Sequence, residues 1–216
     1  MEKVIKIPKV KICGLTEERE AEFLNEAKAD YAGFVFYEKS RRNVSFPKAE
    51  SIMRKLSGKI LKVAVTVSPA IEFVREIEKR NFDFLQVHGE LSEEVRKKAV
   101  IPIFRAVNIT DSSEAERFFQ KEAGYGYLHI CGYVLDGAGY GGGKTFDWES
   151  LGKNVRKLAG GKELMLAGGL NRENVRAGIR YFMPDAVDVS SGVEVNGKKD
   201  KKKIKDFIRK VREDGQ

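Results

Sequence analysis

The sequence predicts an α/β protein that folds as a single (β/α)8 TIM barrel with short loops. Three observations support this fold class: short apolar runs rich in β-branched residues alternate with longer helical stretches, the runs number eight, and the chain has 216 residues. Such alternation is typical of repeated βαβ units around a parallel sheet. Eight units in a chain of this length leave no room for an inserted domain, so we expect one catalytic domain over residues 1–216.

The predicted strands are short apolar segments spread along the whole chain. They are Val10–Ile12, Tyr31–Phe36, Ile60–Val67, Phe84–Val87, Ile103–Val107, Tyr127–Leu135, Glu163–Leu166 and Ala186–Val189. An open, doubly wound dinucleotide-binding sheet would instead require G-x-G-x-x-G directly after the first strand. That position reads Ile12-Cys13-Gly14-Leu15, which disfavours the Rossmann alternative.

The helices between the strands are predicted from apolar spacing and from start signals. Apolar residues three and four positions apart mark one face of the segments Pro47–Leu56, Ala70–Asn81 and Asn171–Arg180. Ser68 followed by Pro69 is typical of an N-cap with proline at the first helical position, and Thr16 and Ser92 are predicted to begin other helices.

The chain is strongly basic, with a formal net charge of +8 and six lysines between residues 198 and 205. Excess positive charge suits nucleic acid, a membrane surface or a small polyanionic substrate, and charge alone does not choose among them. We interpret the lysine run as a solvated face. No apolar run approaches the roughly 20 residues that span a bilayer, and no signal peptide is evident, so we expect a cytoplasmic protein without a membrane partner.

Cys13 and Cys131 are the only cysteines, and they lie far apart in the sequence without CxxC spacing. This pattern argues against a disulfide framework or a zinc site and favours a reducing compartment. Cys131 has no reactive partner nearby in sequence, so we interpret it as structural.

Polar residues gather where the predicted strands end, which is where TIM barrels build their active sites. These residues are Cys13, His88, Asp136, Gly168, Gly169, Asp188, Ser190, Ser191 and Gly192, and Arg105 lies within the fifth strand. Each has a plainer explanation when taken singly, since a lone cysteine is more often a core residue and Asp136 before Gly137 suits a turn. Their recurrence at so many strand ends predicts an active site.

Two glycine-containing stretches predict a phosphate site. Leu166–Asn171 follows the seventh strand and Val189–Glu194 follows the eighth, which are the loops that bind phosphate in many TIM barrels. Glycine lets backbone N–H groups approach an anion closely. The stretch Tyr140–Lys144 lacks Walker spacing, and we interpret it as a mobile loop over the pocket.

Seven blocks of the sequence, in order along nearly the whole chain, resemble the phosphoribosylanthranilate isomerase family. They are Val10–Thr16, Gly33–Tyr37 with Ser40–Arg42, Gln86–Gly89, Leu135–Asp136, Gly143–Trp148, Gly168–Asn171 with Glu173–Val175, and Ala186–Glu194. The chain departs from the family pattern at Tyr37-Glu38-Lys39-Ser40, in the third strand and in the glycine loop after Asp136. These departures concern loop geometry and leave Cys13 and Asp136 in register.

The resemblance implies an Amadori rearrangement of N-(5-phosphoribosyl)anthranilate in tryptophan biosynthesis, with no metal and no cofactor. It implies that Asp136 is the general acid, that Cys13 is the general base, and that Arg42 binds the anthranilate carboxylate. Burial would raise the pKa of Asp136, and a nearby cation or strand-end dipoles would lower that of Cys13. His88 and Asp188 are expected to bind substrate. The expected phosphate ligands are Gly168, Gly169, Ser190, Ser191 and Gly192.

Two alternatives remain open from the sequence. The first is the aminoaldose–ketose isomerase of histidine biosynthesis, which performs the same rearrangement with paired aspartates, so Cys13 favours the anthranilate substrate. The second is a basic RNA-binding module that uses the lysine run, which contains no aromatic residues for stacking on bases. We therefore expect a small anionic phosphosugar as partner and no nucleic acid, in a monomer or a homodimer.

Overall fold

The computed structural model describes residues 7–109, 112–124, 129–137 and 155–213. Eight parallel strands pair in chain order and close into a barrel where β8 meets β1, so the predicted (β/α)8 fold is confirmed. The strands are β1 Lys9–Cys13, β2 Tyr31–Phe36, β3 Leu61–Val67, β4 Phe84–His88, β5 Ile103–Ile109, β6 Ile130–Gly137, β7 Glu163–Leu166 and β8 Ala186–Val189.

Three strands, β2, β7 and β8, have the predicted bounds, and the others differ at their ends. Strand β4 extends to His88 and β5 to Ile109, because backbone pairing continues through polar residues that carry no apolar signal. Strand β6 begins at Ile130, three residues after its predicted start, and residues 125–128 lie outside the described part of the chain.

Helices cover the outside of the barrel. They are α1 Glu18–Ala27, α2 Phe46–Met53, α3 Ile71–Glu78, α4 Glu93–Lys98, α5 Ser112–Ala123, α6 Val155–Leu158, α7 Val175–Phe182 and α8 Lys201–Arg212. After β8 come a 3-10 turn, Ser191–Val193, and a small hairpin of β9 Glu194–Val195 and β10 Lys198–Lys199.

The predicted helix starts are partly wrong. Ser92 caps α4 by accepting a hydrogen bond from the Val95 amide, as predicted. Ser68, however, has a φ of +45°, and its hydroxyl accepts from the Glu90 amide, so α3 begins after Ala70 instead. Helix α1 begins after Glu17 rather than at Thr16, and Glu17 and Glu20 form a capping box. Capping boxes usually begin with serine or threonine, so a Glu-x-x-Glu sequence is a weaker signal of a helix start.

Two apolar cores hold the barrel together. The larger lies between the strands and the outer helices, and the smaller fills the barrel interior. Near the N-terminal ends of the strands, the rings of Tyr31, Phe84 and Phe104 contact one another, with centroids 4.9–6.3 Å apart. These rings fill that half of the barrel interior, and a cavity lies at the opposite half, toward the C-terminal ends of the strands.

The lysine run lies on β10 and α8, and the expectation of a merely solvated face is wrong for part of it. Lys199 is buried, with its ammonium group 2.7 Å from Glu194. Lys198 pairs with Glu17, and Lys201 and Lys205 both pair with Glu26. The two pairs with Glu26 join the C-terminal helix to α1, and the Lys198–Glu17 pair joins the hairpin to the residue that precedes α1. None of the helices in the described ranges is long and apolar enough to cross a membrane.

Helix α8 depends on its apolar face, and Phe207 on that face is fully buried. We predict that Phe207→Ala lowers the free energy of unfolding by about 3–5 kcal/mol, because it leaves a cavity under the helix. Lys202→Ala, at an exposed position of the same helix, is expected to change it by less than about 0.5 kcal/mol. Urea denaturation monitored by circular dichroism measures both. Equal effects of the two substitutions would contradict this packing.

Candidate active site

A cavity of about 770 Å³, including its open mouth, lies at the C-terminal ends of the strands. Nine of the ten residues that the family resemblance assigns to the site line it: Cys13, Arg42, His88, Asp136, Gly168, Gly169, Asp188, Ser190 and Ser191. Gly192 is not among the lining residues but packs against one of them, Leu170: a Cβ atom at Gly192 would overlap the Leu170 backbone carbonyl. The structure thus brings together at one cavity the nine residues named above.

Arg105 does not belong to this site. Its guanidinium group donates hydrogen bonds to the backbone carbonyls of Val87, Gly89 and Ala106, and it lies beside Glu122 of α5 on the outside of the barrel. Alternate residues of a strand face opposite sides of the sheet. Phe104 and Ala106 face the barrel interior, so Arg105 between them faces outward.

The end of β1 positions two of the site's groups. Cys13 is the last residue of the strand and is 9% exposed. Gly14 follows with a φ of +84°, and a Cβ atom at this position would overlap the Arg42 side chain. Glycine is therefore required here both for its backbone conformation and for the approach of Arg42.

Arg42 is held by a carboxylate that the sequence indicated only as the last residue of a matched block. Glu194 accepts two hydrogen bonds from Arg42, at 2.7 Å to Nε and 3.0 Å to Nη2. Lys199 and Arg41 contact the same carboxylate at 2.7 and 3.0 Å. Burial raises the pKa of Glu194, but Arg42 and Lys199 outweigh it, so the pKa lies below its ordinary value. The Nη1 atom of Arg42 makes no hydrogen bond to any described residue.

The expected lowering of the Cys13 pKa is wrong. Burial raises the pKa of this thiol above its ordinary value, although Lys11 and Lys199 act in the opposite direction. The predicted cations are thus present, but desolvation of the thiolate outweighs them. Cys131 differs in its surroundings: its thiol lies 3.3 Å from the Ile103 carbonyl, and burial raises its pKa to about 12.

His88 faces the cavity beside Gln86, which sequence reasoning included only as part of a motif. The two residues are two positions apart on β4, so both side chains enter the barrel, and Gln86 Nε2 lies 2.9 Å from His88 Nε2. Burial, together with the charges of Lys11 and Arg105, lowers the pKa of His88 to about 4. A hydrogen bond with Asn108 acts in the opposite direction but is outweighed. The imidazole is therefore neutral at physiological pH.

The two glycine loops meet as one wall of the cavity. Gly168 and Gly169 have φ values of +85° and +68°, and the Asn174 side-chain amide donates to the Gly169 carbonyl at 3.0 Å. The Ser190 hydroxyl donates to the Cys13 carbonyl at 2.9 Å and accepts from Lys199. Since the Ser190 hydroxyl is occupied in this way, we expect backbone N–H groups to be the main donors to an anion here.

No cluster of His, Cys, Asp and Glu suited to a metal ion occurs among the residues that the structure describes. The residues predicted as a glycine loop over the pocket, 140–144, lie outside the described ranges. What the cavity does contain is a thiol, a carboxyl group, an arginine and two glycine loops. A closed (β/α)8 barrel with this set at its C-terminal face defines an acid–base enzyme for a small anionic phosphate ester.

The comparisons with known proteins agree with this class. Residues 10–210 match the family described as N-(5'-phosphoribosyl)anthranilate (PRA) isomerase. The isomerase of Clostridium acetobutylicum is 42% identical over 207 residues, covering 94% of this chain and 98% of that protein, and that of Aquifex aeolicus is 40% identical with the same coverage. The chain therefore belongs to the phosphoribosylanthranilate isomerase family, and the predicted family and enzyme class are confirmed.

Solved structures give the same result. The phosphoribosylanthranilate isomerase of Thermotoga maritima has a TM-score of 0.83 and 36% identity, covering 95% of this chain and 99% of that one. A further isomerase structure, in complex with reduced 1-(o-carboxyphenylamino)-1-deoxyribulose 5-phosphate, has a TM-score of 0.80 and 34% identity, with the same coverage.

The low pKa of His88 predicts a pH-dependent loss of stability. In the unfolded chain histidine gains a proton near pH 6.5, whereas the folded state resists protonation until about pH 4. Stability is therefore present above pH 6.5 and is lost as the pH falls toward 4, by roughly 3 kcal/mol. Urea unfolding of wild type and His88→Gln across this window measures the effect. Parallel curves for the two proteins would contradict a buried, neutral His88.

Proposed function

We propose that this chain is an aldose–ketose isomerase that converts N-(5'-phosphoribosyl)anthranilate to 1-(2-carboxyphenylamino)-1-deoxyribulose 5-phosphate in tryptophan biosynthesis. The observation that carries the proposal is that Cys13 and Asp136, a thiol and a carboxyl group suited to base and acid, line one cavity with Arg42 and the glycine loops. Family membership, and a relative solved with a reduced form of this product, support the choice of substrate.

Substrate binding uses Arg42 and the two glycine loops, which line the same cavity. The substrate carries a carboxylate on its ring and a phosphate on its ribose, and the proposal assigns the carboxylate to Arg42. A planar guanidinium suits a carboxylate, and the pairing of Nε and Nη2 with Glu194 leaves Nη1 for the ligand. The phosphate is assigned to backbone N–H groups of residues 168–169 and 190–192, in loops whose glycines permit close approach.

The chemistry needs one acid and one base. Asp136 donates a proton to the ribose ring oxygen as the C1'–O bond breaks, and the nitrogen lone pair forms a protonated Schiff base at C1'. The Cys13 thiolate then takes the C2' proton, and the electron pair of that bond moves to C1'–C2' and neutralises the nitrogen. Return of the proton to C1', with loss of the enol proton to Asp136, gives the ketone and restores both groups.

The raised pKa of Cys13 means that the free enzyme holds mostly thiol at neutral pH. Ring opening creates a positive charge on the Schiff base, and a nearby positive charge favours the thiolate. The thiol proton is released to solvent through the open mouth of the cavity at this point, so the thiolate is formed at the stage of the reaction that requires it, and it takes up a proton from solvent again after the product leaves. In the absence of substrate, a buried and largely protonated thiol is also protected from oxidation, since the thiolate is the reactive form.

The assembly, the domain and the compartment are also part of the proposal. A dimeric isomerase from Thermotoga maritima, solved in a monomeric form, supports a homodimer as the native state. Residues 1–216 are proposed to form one catalytic domain.

Both cysteines are free thiols, and a catalytic thiol requires a reducing compartment such as the cytoplasm. Carboxylates engage much of the lysine run, which argues against the RNA-binding alternative.

The proposal is tested by following the fluorescence of freshly prepared phosphoribosylanthranilate as it is consumed. We expect wild type to turn it over, and Cys13→Ala and Asp136→Asn each to lower kcat by at least about 10²-fold, because each removes one proton-transfer group. Cys131→Ala, which changes the other cysteine, is expected to retain activity. No turnover by folded wild type would contradict the substrate, and full activity of either active-site variant would contradict its role.

A further inference from the structure

Lys11 lies directly beneath Cys13 in the barrel interior. The two residues are two positions apart on β1, so their side chains enter the barrel on the same face. Gly33 of β2 provides the space: a Cβ atom there would lie 2.9 Å from Cys13 Sγ and 3.2 Å from Lys11 Cε. The lysine side chain is 0% exposed. The thiol and the lysine chain therefore share the gap that this glycine leaves.

The counter-ion of Lys11 is Asp188, directly across the β1–β8 seam. The two residues are register partners in the sheet, and Lys11 Nζ lies 2.7 Å from Asp188 Oδ2. Asp188 also lines the cavity, and its other oxygen, Oδ1, is buried without a hydrogen bond to any described residue. One carboxylate thus holds the lysine with one oxygen and offers the second oxygen to a ligand.

The charged groups that act on Cys13 are Lys11 on its own strand, Asp188 on β8 and Lys199 on β10. Burial lowers the pKa of Lys11, but the effects of Asp188 and Cys13 outweigh burial. The pKa therefore lies above its ordinary value, and the ammonium group stays charged. Lys199 is already paired with Glu194. Lys11 is therefore a buried cation that acts both on the thiol and on a carboxylate of the cavity.

We infer that Lys11 is a positioning residue for the base: its ammonium group stabilises the Cys13 thiolate, and Asp188 competes with the sulfur for that ammonium. The inference rests on the proposed role of Cys13. A substrate hydroxyl that donates to Asp188 Oδ1 draws charge from the carboxylate, which weakens its hold on Lys11 and strengthens the contact between Lys11 and the thiolate. Substrate binding at β8 is thereby coupled to formation of the base on β1.

A purely structural role would differ in a measurable way. A buried ion pair that only joins β8 to β1 would affect stability when either partner is removed. It would not shift the pKa of the Cys13 thiol upward on loss of one partner and downward on loss of the other. Under our inference, loss of the lysine and loss of the aspartate have opposite effects on Cys13. The ionisation of the thiol, measured without substrate, separates the two accounts.

The experiment uses the full-length chain with Cys131→Ala, which leaves Cys13 as the only thiol. The rate of iodoacetamide alkylation is measured against pH by mass spectrometry, for this parent and for added Lys11→Met, Asp188→Asn and both together. We expect Lys11→Met to raise the midpoint by about one pH unit, a tenfold loss of thiolate at fixed pH. Asp188→Asn is expected to lower the midpoint. The double variant, which leaves neither charge unpaired, is expected to retain an upward shift.

Circular dichroism establishes that each variant is folded. If Lys11→Met does not fold, Asp188→Asn and the double variant still carry the test, because their midpoints are expected to move in opposite directions. Unchanged midpoints, or a shift of all folded variants in one direction, would overturn the inference. Failure of the proposed function is distinguishable, since it would be seen as activity of Cys13→Ala while the alkylation midpoints moved as expected.

Discussion

Closure of the barrel between β8 and β1 is the constraint on which the site depends. The register across this seam places Lys11 opposite Asp188, and it brings the glycine loop after β8 against the end of β1, where Ser190 bonds to the Cys13 carbonyl. The seam also carries a buried ion pair, and removing either charge would leave the other buried without its partner, which is costly. A barrel that failed to close here would separate Cys13, the glycine loop after β8 and Asp188, to which we have assigned the base, the phosphate ligands and a substrate-binding carboxylate.

A second group of charges extends the site beyond the strands. Glu194 gathers Arg42, Arg41 and Lys199, and so connects the loop after β2 with the C-terminal hairpin. This arrangement gives part of the lysine run a definite use, because it fixes the direction of Arg42. Several lysines of the run thus form internal ion pairs, and the excess positive charge of the chain is suited to attracting an anionic substrate. The same hairpin leads into α8, whose apolar face covers the barrel wall.

The fold could be predicted because eight apolar segments and their spacing are direct features of the sequence. The site could be predicted in outline, because strand ends of a parallel barrel meet at one face. What could not be predicted depends on distances between elements. The sequence contains no sign that Arg42 bonds to Glu194 or that burial outweighs the cations around Cys13. Likewise, Ser68-Pro69 has the form of a helix start, yet the Ser68 hydroxyl is taken by the Glu90 amide.

The proposed function requires that one substrate spans the cavity with its carboxylate at Arg42, its phosphate at the two glycine loops and its C2' carbon at Cys13. A crystal structure of this protein with reduced 1-(o-carboxyphenylamino)-1-deoxyribulose 5-phosphate tests this directly. We predict the phosphate on the backbone amides of residues 168–169 and 190–192, the carboxylate on Arg42, and Cys13 and Asp136 on either side of the C1'–C2' bond. A ligand bound in the opposite direction, or with C2' away from the thiol, would contradict the account.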